Sequence, residues 1–167
     1  MIMSIYKIPL TQNVLNATEE RIAWTLENIS RVCVSFSGGK DSTVMLHLAA
    51  LRARQMKRKI DVLFIDWEAQ FTYTIAHIEH MRSLYSDVID HFWWVALPLT
   101  TQNSLSQFQP EWQCWEPDTP WVRQPPDDAI TDPAFFPFYQ PGMTFETFVR
   151  SFNQSGNAGN PTRRGCD

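Results

Sequence analysis

Residues 31 to 53, RVCVSFSGGKDSTVMLHLAALRA, constrain the fold more than any other part of the chain. Arg31 to Phe36 (RVCVSF) is β-branched and aromatic and short, which predicts a buried strand. Helical spacing resumes at Ser42, with Val44, Leu48 and Leu51 on one face. Between them lies Ser37-Gly38-Gly39-Lys40-Asp41-Ser42. A strand that turns straight into a helix leaves the first helical N–H groups without intrahelical partners, and the helix dipole adds partial positive charge there. Such a turn binds phosphate. Gly38 and Gly39 let the backbone approach phosphate oxygens, Ser37 and Ser42 offer hydroxyls, and Lys40 offers a cation. Asp41 is the odd member: beside phosphate it repels, unless it caps the helix or meets a magnesium ion.

The flanking pattern extends this unit. Leu15, Ile22, Leu26 and Ile29 recur at helical spacing ahead of the first strand, and Ile60 to Ile65 (IDVLFI) predicts a second strand. Ile75, Ile78, Met81 and Tyr85 mark another helix, and His91 to Leu97 (HFWWVAL) a third strand. Strands alternating with helices imply a parallel sheet with right-handed crossovers, an α/β domain. From Pro98 the texture changes. Nine of the 11 prolines fall between Pro98 and Pro141, interleaved with Trp112, Trp115, Trp121, Phe135, Phe136, Phe138 and Tyr139. Proline breaks both kinds of regular element, so this stretch should be irregular and pack through its aromatics. Met143 to Phe152 reads as a short helix. The expected organisation is an α/β nucleotide-binding core over 1–97, an aromatic and proline-rich segment over 98–150, and a disordered tail over 151–167.

Composition narrows the class. At 167 residues, 44% hydrophobic and 13% aromatic, the chain can bury one core. No apolar stretch nears the roughly 20 residues that span a bilayer, and MIMSIYKIPLTQN lacks the features of a signal peptide. Cys33, Cys114 and Cys166 are odd in number and far apart, which argues against disulfide or zinc frameworks and suits a reducing cytoplasm. A net charge of -4 speaks against direct nucleic-acid binding. The basic run RARQMKRK at 52–59 suits the solvated carboxyl end of a helix.

Two phosphate motifs fail on spacing. A Walker loop needs glycine where Val34 stands, and a dinucleotide fingerprint needs a third glycine in the turn. SGGKDS instead matches the SGGxDS signature, and the chain resembles the PP-loop ATP pyrophosphatases, within them the phosphoadenylylsulfate (PAPS) reductase-like branch. The resemblance implies a Rossmann-like, three-layer fold of the adenine nucleotide alpha hydrolase type, of which this chain would hold the N-terminal half. It implies ATP or PAPS as ligand, contacts from Ser35, Phe36, Ser37, Gly38, Gly39, Lys40, Asp41 and Ser42, and Mg²⁺ at Asp41. In open α/β sheets ligands sit beyond the carboxyl ends of the strands. Strand two ends at Asp66 in DWEAQFTYT, a position where these relatives resemble one another in a DTG-type turn; here Trp67 and Glu68 replace threonine and glycine. Asp66 either orients a ribose, metal or substrate, or caps the next helix. Thr100 and Thr101 would face the same crevice.

Over residues 5 to 150 the chain is similar to a bacterial and phage-borne subgroup labelled PAPS reductase or sulfotransferase-like, including immunoglobulin-binding regulator A-type co-activators. That resemblance implies a ParB-like partner protein. The family's later half, with an arginine-bearing phosphate motif and a cysteine in an ECGxH context, has no counterpart here: Cys166 stands in RRGCD and Cys114 in an aromatic loop. The expectation is truncation after about Arg150. The first strand would then be an open sheet edge, inviting a homodimer or a complex with another chain. Function is therefore expected to be adenine-nucleotide binding for adenylylation, sulfur transfer or co-regulation, or else a non-catalytic interaction module.

Overall fold

The structure is a computed structural model and describes residues 11–103 and 107–155. Strand β2 (Ile60–Ile65) is buried at every position because it lies between β1 (Cys33–Ser35) and β3 (Ile89–Val95) and is covered on both faces. That is why IDVLFI is nearly all apolar, as expected of a central parallel strand. Both pairings are parallel, with Val34 beside Val62 and Phe64 beside Trp94. Among the described residues β1 pairs with β2 alone and so forms one edge. The opposite edge is partly closed by the chain near Ile130, whose N–H donates to Trp94 O at 2.7 Å while its carbonyl accepts from Ala96 N at 3.0 Å.

Side-chain alternation gives the sheet two unlike coats. Val34, Val62, Phe64 and Trp94 bury against Leu26 of α1 (Val14–Asn28), Leu46, Ala50 and Ala53 of α2 (Lys40–Gln55), and Ile78 and Met81 of α3 (Thr72–Leu84). Leu63, Ile65, Trp93 and Val95 bury against Cys114, Trp115, Phe136 and two phenylalanines of α4 (Phe145–Gln154), Phe148 and Phe152. The result is a mixed α/β, Rossmann-like arrangement whose second layer is largely an aromatic segment in place of a helix pair. Asp61 breaks the apolar run of β2. Its buried carboxylate is held by Arg31 Nη2 at 3.1 Å and His91 Nδ1 at 3.0 Å.

Several sequence expectations are corrected here. The buried stripe of α2 is Leu46, Ala49, Ala50 and Ala53, whereas Val44 and Leu51 face solvent at 57% and 37% exposure. On α1, Leu15 and Ile29 are exposed too. The first strand is shorter than 31–36, and the third begins at Ile89 and ends before Ala96. Within the proline-rich segment Thr100–Gln102 (β4) pairs antiparallel with Glu111–Gln113 (β5). Helix α4 continues to Gln154, four residues into the stretch expected to lack structure; residues 156–167 lie outside the described residues. The basic run also does more than meet solvent. Arg54 bonds Asp87 at 2.6 and 2.7 Å, Lys59 Nζ bonds Asp87 O at 2.7 Å, and Arg58 reaches the carbonyls of Ile29 and Ser30. These cations tie the end of α2 to the ends of α1 and α3. No helix of the described residues is long and apolar enough to cross a membrane.

Candidate functional site

The loop 37–42 leaves the carboxyl end of β1 and opens α2, as the strand–turn–helix pattern demands. Gly38 turns the chain at φ +76°, a left-handed conformation that other residues adopt at a cost. There is also no room for a side chain. A Cβ on Gly38 would lie 3.0 Å from Ile78 Cγ1 and 3.1 Å from Thr74 Cγ2, so α3 backs the loop directly. Gly39 is the N-cap of α2 at φ −76°, ψ 164°, and supplies no side-chain cap. The first turn of α2 therefore keeps its N–H groups for a ligand.

Ser37 and Ser42 brace the turn across its mouth. Their hydroxyls lie 3.0 Å apart, Ser37 N donates to Ser42 Oγ at 3.3 Å, and Ser42 Oγ donates to Gly39 O at 3.0 Å. Lys40 and Asp41 stand in solvent, with side chains 88% and 92% exposed and Lys40 Nζ 3.0 Å from Asp41 Oδ1. Asp41 makes no capping hydrogen bond to the helix, and its carboxylate meets only the exposed Lys40 ammonium among the described residues. One carboxylate beside ligand phosphates is the donor set Mg²⁺ commonly takes, and the loop fits that ion on chemistry.

A cleft of about 270 Å³ adjoins the loop. Ser35, Phe36 and Ser37 form one wall, Trp67 and Gln70 another, and Thr101 and Glu146 close it. The Trp67 and Phe145 rings, 5.9 Å apart, give this cleft an aromatic side. The structure thus brings Ser35 to Ser37 and Thr101 together, although Thr101 comes from β4 rather than from the end of β3 and Thr100 does not line this cleft.

Asp66 is placed differently. It is 0% exposed, and its carboxylate accepts from Trp94 Nε1 at 2.8 Å, from Glu68 N at 2.9 Å and from Arg123 Nη2. Trp115 Nε1 donates to its carbonyl at 2.6 Å. Glu68, buried at φ +60°, accepts from the N–H groups of Trp115 at 2.6 Å and Val122 at 2.8 Å. The Arg123 guanidinium also lies 5.2 Å from the centre of the Trp115 ring. Two buried carboxylates at the end of β2 therefore anchor the 115–123 segment. Asp66 shapes the crevice from behind instead of facing it. Sequence reasoning missed the roles of Glu68 and Arg123, because no periodicity links Glu68 to Trp115 and Val122, 47 and 54 positions away, or Arg123 to Asp66, 57 away.

The two described cysteines are built into the fold. Cys114 Sγ lies 3.4 Å from Leu97 O and Leu99 O, and burial pushes its thiol up to about 12. Burial, with the negative charge of Asp61 nearby, pushes the Cys33 thiol up to about 12 as well. A thiol so far from ionised is a poor nucleophile.

The model of the phosphoadenosine phosphosulfate reductase domain matches residues 31–116, from the start of the loop unit through β5. The chain belongs to that family. The phosphoadenosine phosphosulfate reductase domain match takes in the loop, the Asp66 turn and Cys114, and stops short of Arg123. The chain is also similar to the uncharacterized protein YbdN of Escherichia coli (strain K12), with 73% identity over 150 residues. The alignment covers 90% of this chain and 37% of that protein, so the chain spans little more than a third of its relative's length. No solved structure matches.

Proposed function

We propose that the protein binds an adenine nucleotide, ATP or PAPS, with the phosphate groups in the loop 37–42. The observation that carries this reading is the uncapped start of α2 behind Gly38, at the carboxyl edge of a parallel sheet and beside an aromatic-sided cleft. The main-chain N–H groups of the first turn bind phosphate oxygens, while Ser37 and Ser42 hold the turn in shape and donate hydroxyl hydrogens. Lys40 adds a mobile cation. Asp41 holds Mg²⁺, which neutralises phosphate charge when bound. The cleft between Ser35–Ser37 and Trp67 receives the base, and Gln70 and Glu146 offer it polar contacts. Phosphoryl and adenylyl transfer depend chiefly on positioning and charge stabilisation, which is what this loop supplies.

Calorimetric titration with ATP and with PAPS tests the reading. Binding should weaken at least tenfold in Ser37→Ala and be lost in Gly39→Val. No heat at millimolar nucleotide would overturn it. Pyrophosphate release on adding ATP and Mg²⁺ distinguishes turnover from nucleotide-dependent co-regulation.

The edge position of β1 favours a second component of the reading. Unpaired N–H and C=O groups on an edge strand invite another chain. We therefore propose a homodimer or a hetero-complex, for instance with a ParB-like protein, that extends the sheet from β1. A monomer by size-exclusion light scattering, with no shift on adding that partner, counts against it. The two free thiols, Cys114 buried and Cys33 partly buried, suit a reducing cytoplasm.

A further inference from the structure

We propose that His77, on α3, is a positioning residue for the phosphate loop and acts through Thr43. Thr43 Oγ1 lies 2.8 Å from Gly39 O and 2.9 Å from His77 Nε2. Thr43 Oγ1 has one proton and donates it to Gly39 O, so the proposed His77 tautomer is the one protonated at Nε2, which donates to Thr43 Oγ1. The relay runs in one direction, from imidazole N–H to hydroxyl to carbonyl, and each bond polarises the next.

The carbonyl at the end of this relay sits at a sensitive place. Gly39 O also accepts from Thr43 N at 2.9 Å and Ser42 Oγ at 3.0 Å, so three donors converge on one oxygen. Its peptide plane contains the Lys40 N–H, which points opposite to the carbonyl in a trans peptide. Holding Gly39 O against α2 and α3 therefore aims the Lys40 N–H out of the helix start, toward an arriving anion. Thr74 and Ile78, on the same helix as His77, leave no room for a side chain at Gly38. The His77 ring is itself steadied by Phe36, 6.2 Å away centre to centre. Helix α3 thus acts as a backstop, aligning the loop before ligand arrives. The ligand rests on the phosphate-binding reading above, whereas the alignment of the empty loop does not.

The test joins a ligand-free readout to a binding readout. Amide hydrogen exchange across Ser37–Thr43 is compared in the wild type, His77→Ala, His77→Gln and Thr43→Val, together with calorimetric affinity for inorganic pyrophosphate at pH 8. A hydrogen bond of this kind contributes about 1 kcal/mol, which is about fivefold in affinity. His77→Ala should exchange these amides about fivefold faster and bind pyrophosphate about fivefold more weakly. Glutamine, whose amide nitrogen reaches the depth of Nε2, should restore both. Thr43→Val keeps the side-chain volume and should match His77→Ala, and the double variant should be no worse than either single change. Should His77→Ala unfold, Thr43→Val decides the matter. Unchanged loop exchange in Thr43→Val, no rescue by glutamine, or multiplicative losses in the double variant would overturn the proposal. A wild type that ignores millimolar pyrophosphate would refute the phosphate reading, and loop exchange would still decide whether His77 aligns the loop.

Discussion

Alanine at Gly38 and alanine at Gly39 should have very different effects on stability, although the two residues are adjacent and chemically identical. At Gly38 the backbone sits at φ +76°, where an L-residue pays about 1–2 kcal/mol. Its new methyl would lie 3.0 Å from Ile78 Cγ1, 3.1 Å from Ile78 Cδ1 and 3.1 Å from Thr74 Cγ2. Overpacking a helix that is fixed in the core adds about 1–3 kcal/mol. The sum is about 3 kcal/mol, equivalent to roughly 6–12 °C in Tm for a domain of this size. At Gly39 the backbone is at φ −76°, and a methyl would meet only Ser37 Oγ at 3.4 Å. What remains is the poorer N-cap propensity of alanine, about 0.5–1 kcal/mol. Differential scanning calorimetry of the two single variants gives both values directly. Pyrophosphate titration then shows whether the distorted loop of Gly38→Ala still binds. Equal melting shifts for the two variants would refute the reasoning, because they would mean that α3 does not back the loop at Gly38.

Three further changes probe other parts of the molecule. Arg123→Met leaves the buried Asp66 carboxylate without its cation and should lower stability by about 3–5 kcal/mol in urea unfolding; an unchanged midpoint would show that the pair does not anchor the segment. Asp87 and Asp128 are held below the usual carboxylate range, chiefly by hydrogen bonds from Arg54 and Arg82. Depressed values mean that their stabilisation is present above about pH 4 and lost as pH falls through the folded values, so Asp87→Asn/Asp128→Asn should lose less Tm between pH 5 and pH 3 than the wild type. Parallel pH profiles would contradict this. With thiol values pushed to about 12, Cys33 and Cys114 should resist iodoacetamide at pH 8 until the protein unfolds, as followed by peptide mass mapping; rapid labelling of either in the folded state would disprove their burial.

Legibility in the sequence follows how local the cause is. Strand β2 is readable at full length because burial on both faces demands an unbroken apolar run. The loop is readable because its glycines, its hydroxyls and the strand before it form one contiguous unit. The face of α2 is not. Bulky Val44 and Leu51 dominate the periodicity, yet α2 approaches the sheet closely through Ala49, Ala50 and Ala53, which register weakly on any scale of bulk. The end of β3 is blurred for a related reason: Ala96, Leu97 and Leu99 stay buried in extended chain after ladder pairing stops. Glu68, Arg123 and His77 leave no local mark at all, since each acquires its role from a partner more than thirty residues away.

The anchoring of the 115–123 segment on Asp66 and Glu68 also predicts where this chain can vary in length during divergence. Polymer statistics make an unanchored surface connection tolerant of insertion, since doubling a loop costs only about 0.6 kcal/mol. Between Trp115 and Arg123 the spacing must instead deliver an indole N–H to the Asp66 carbonyl, and two backbone amides and a guanidinium to the carboxylates of Glu68 and Asp66. A single added residue there would disconnect at least one of them from the buried Asp66 or Glu68. Homologues should therefore keep the count from 115 to 123 constant.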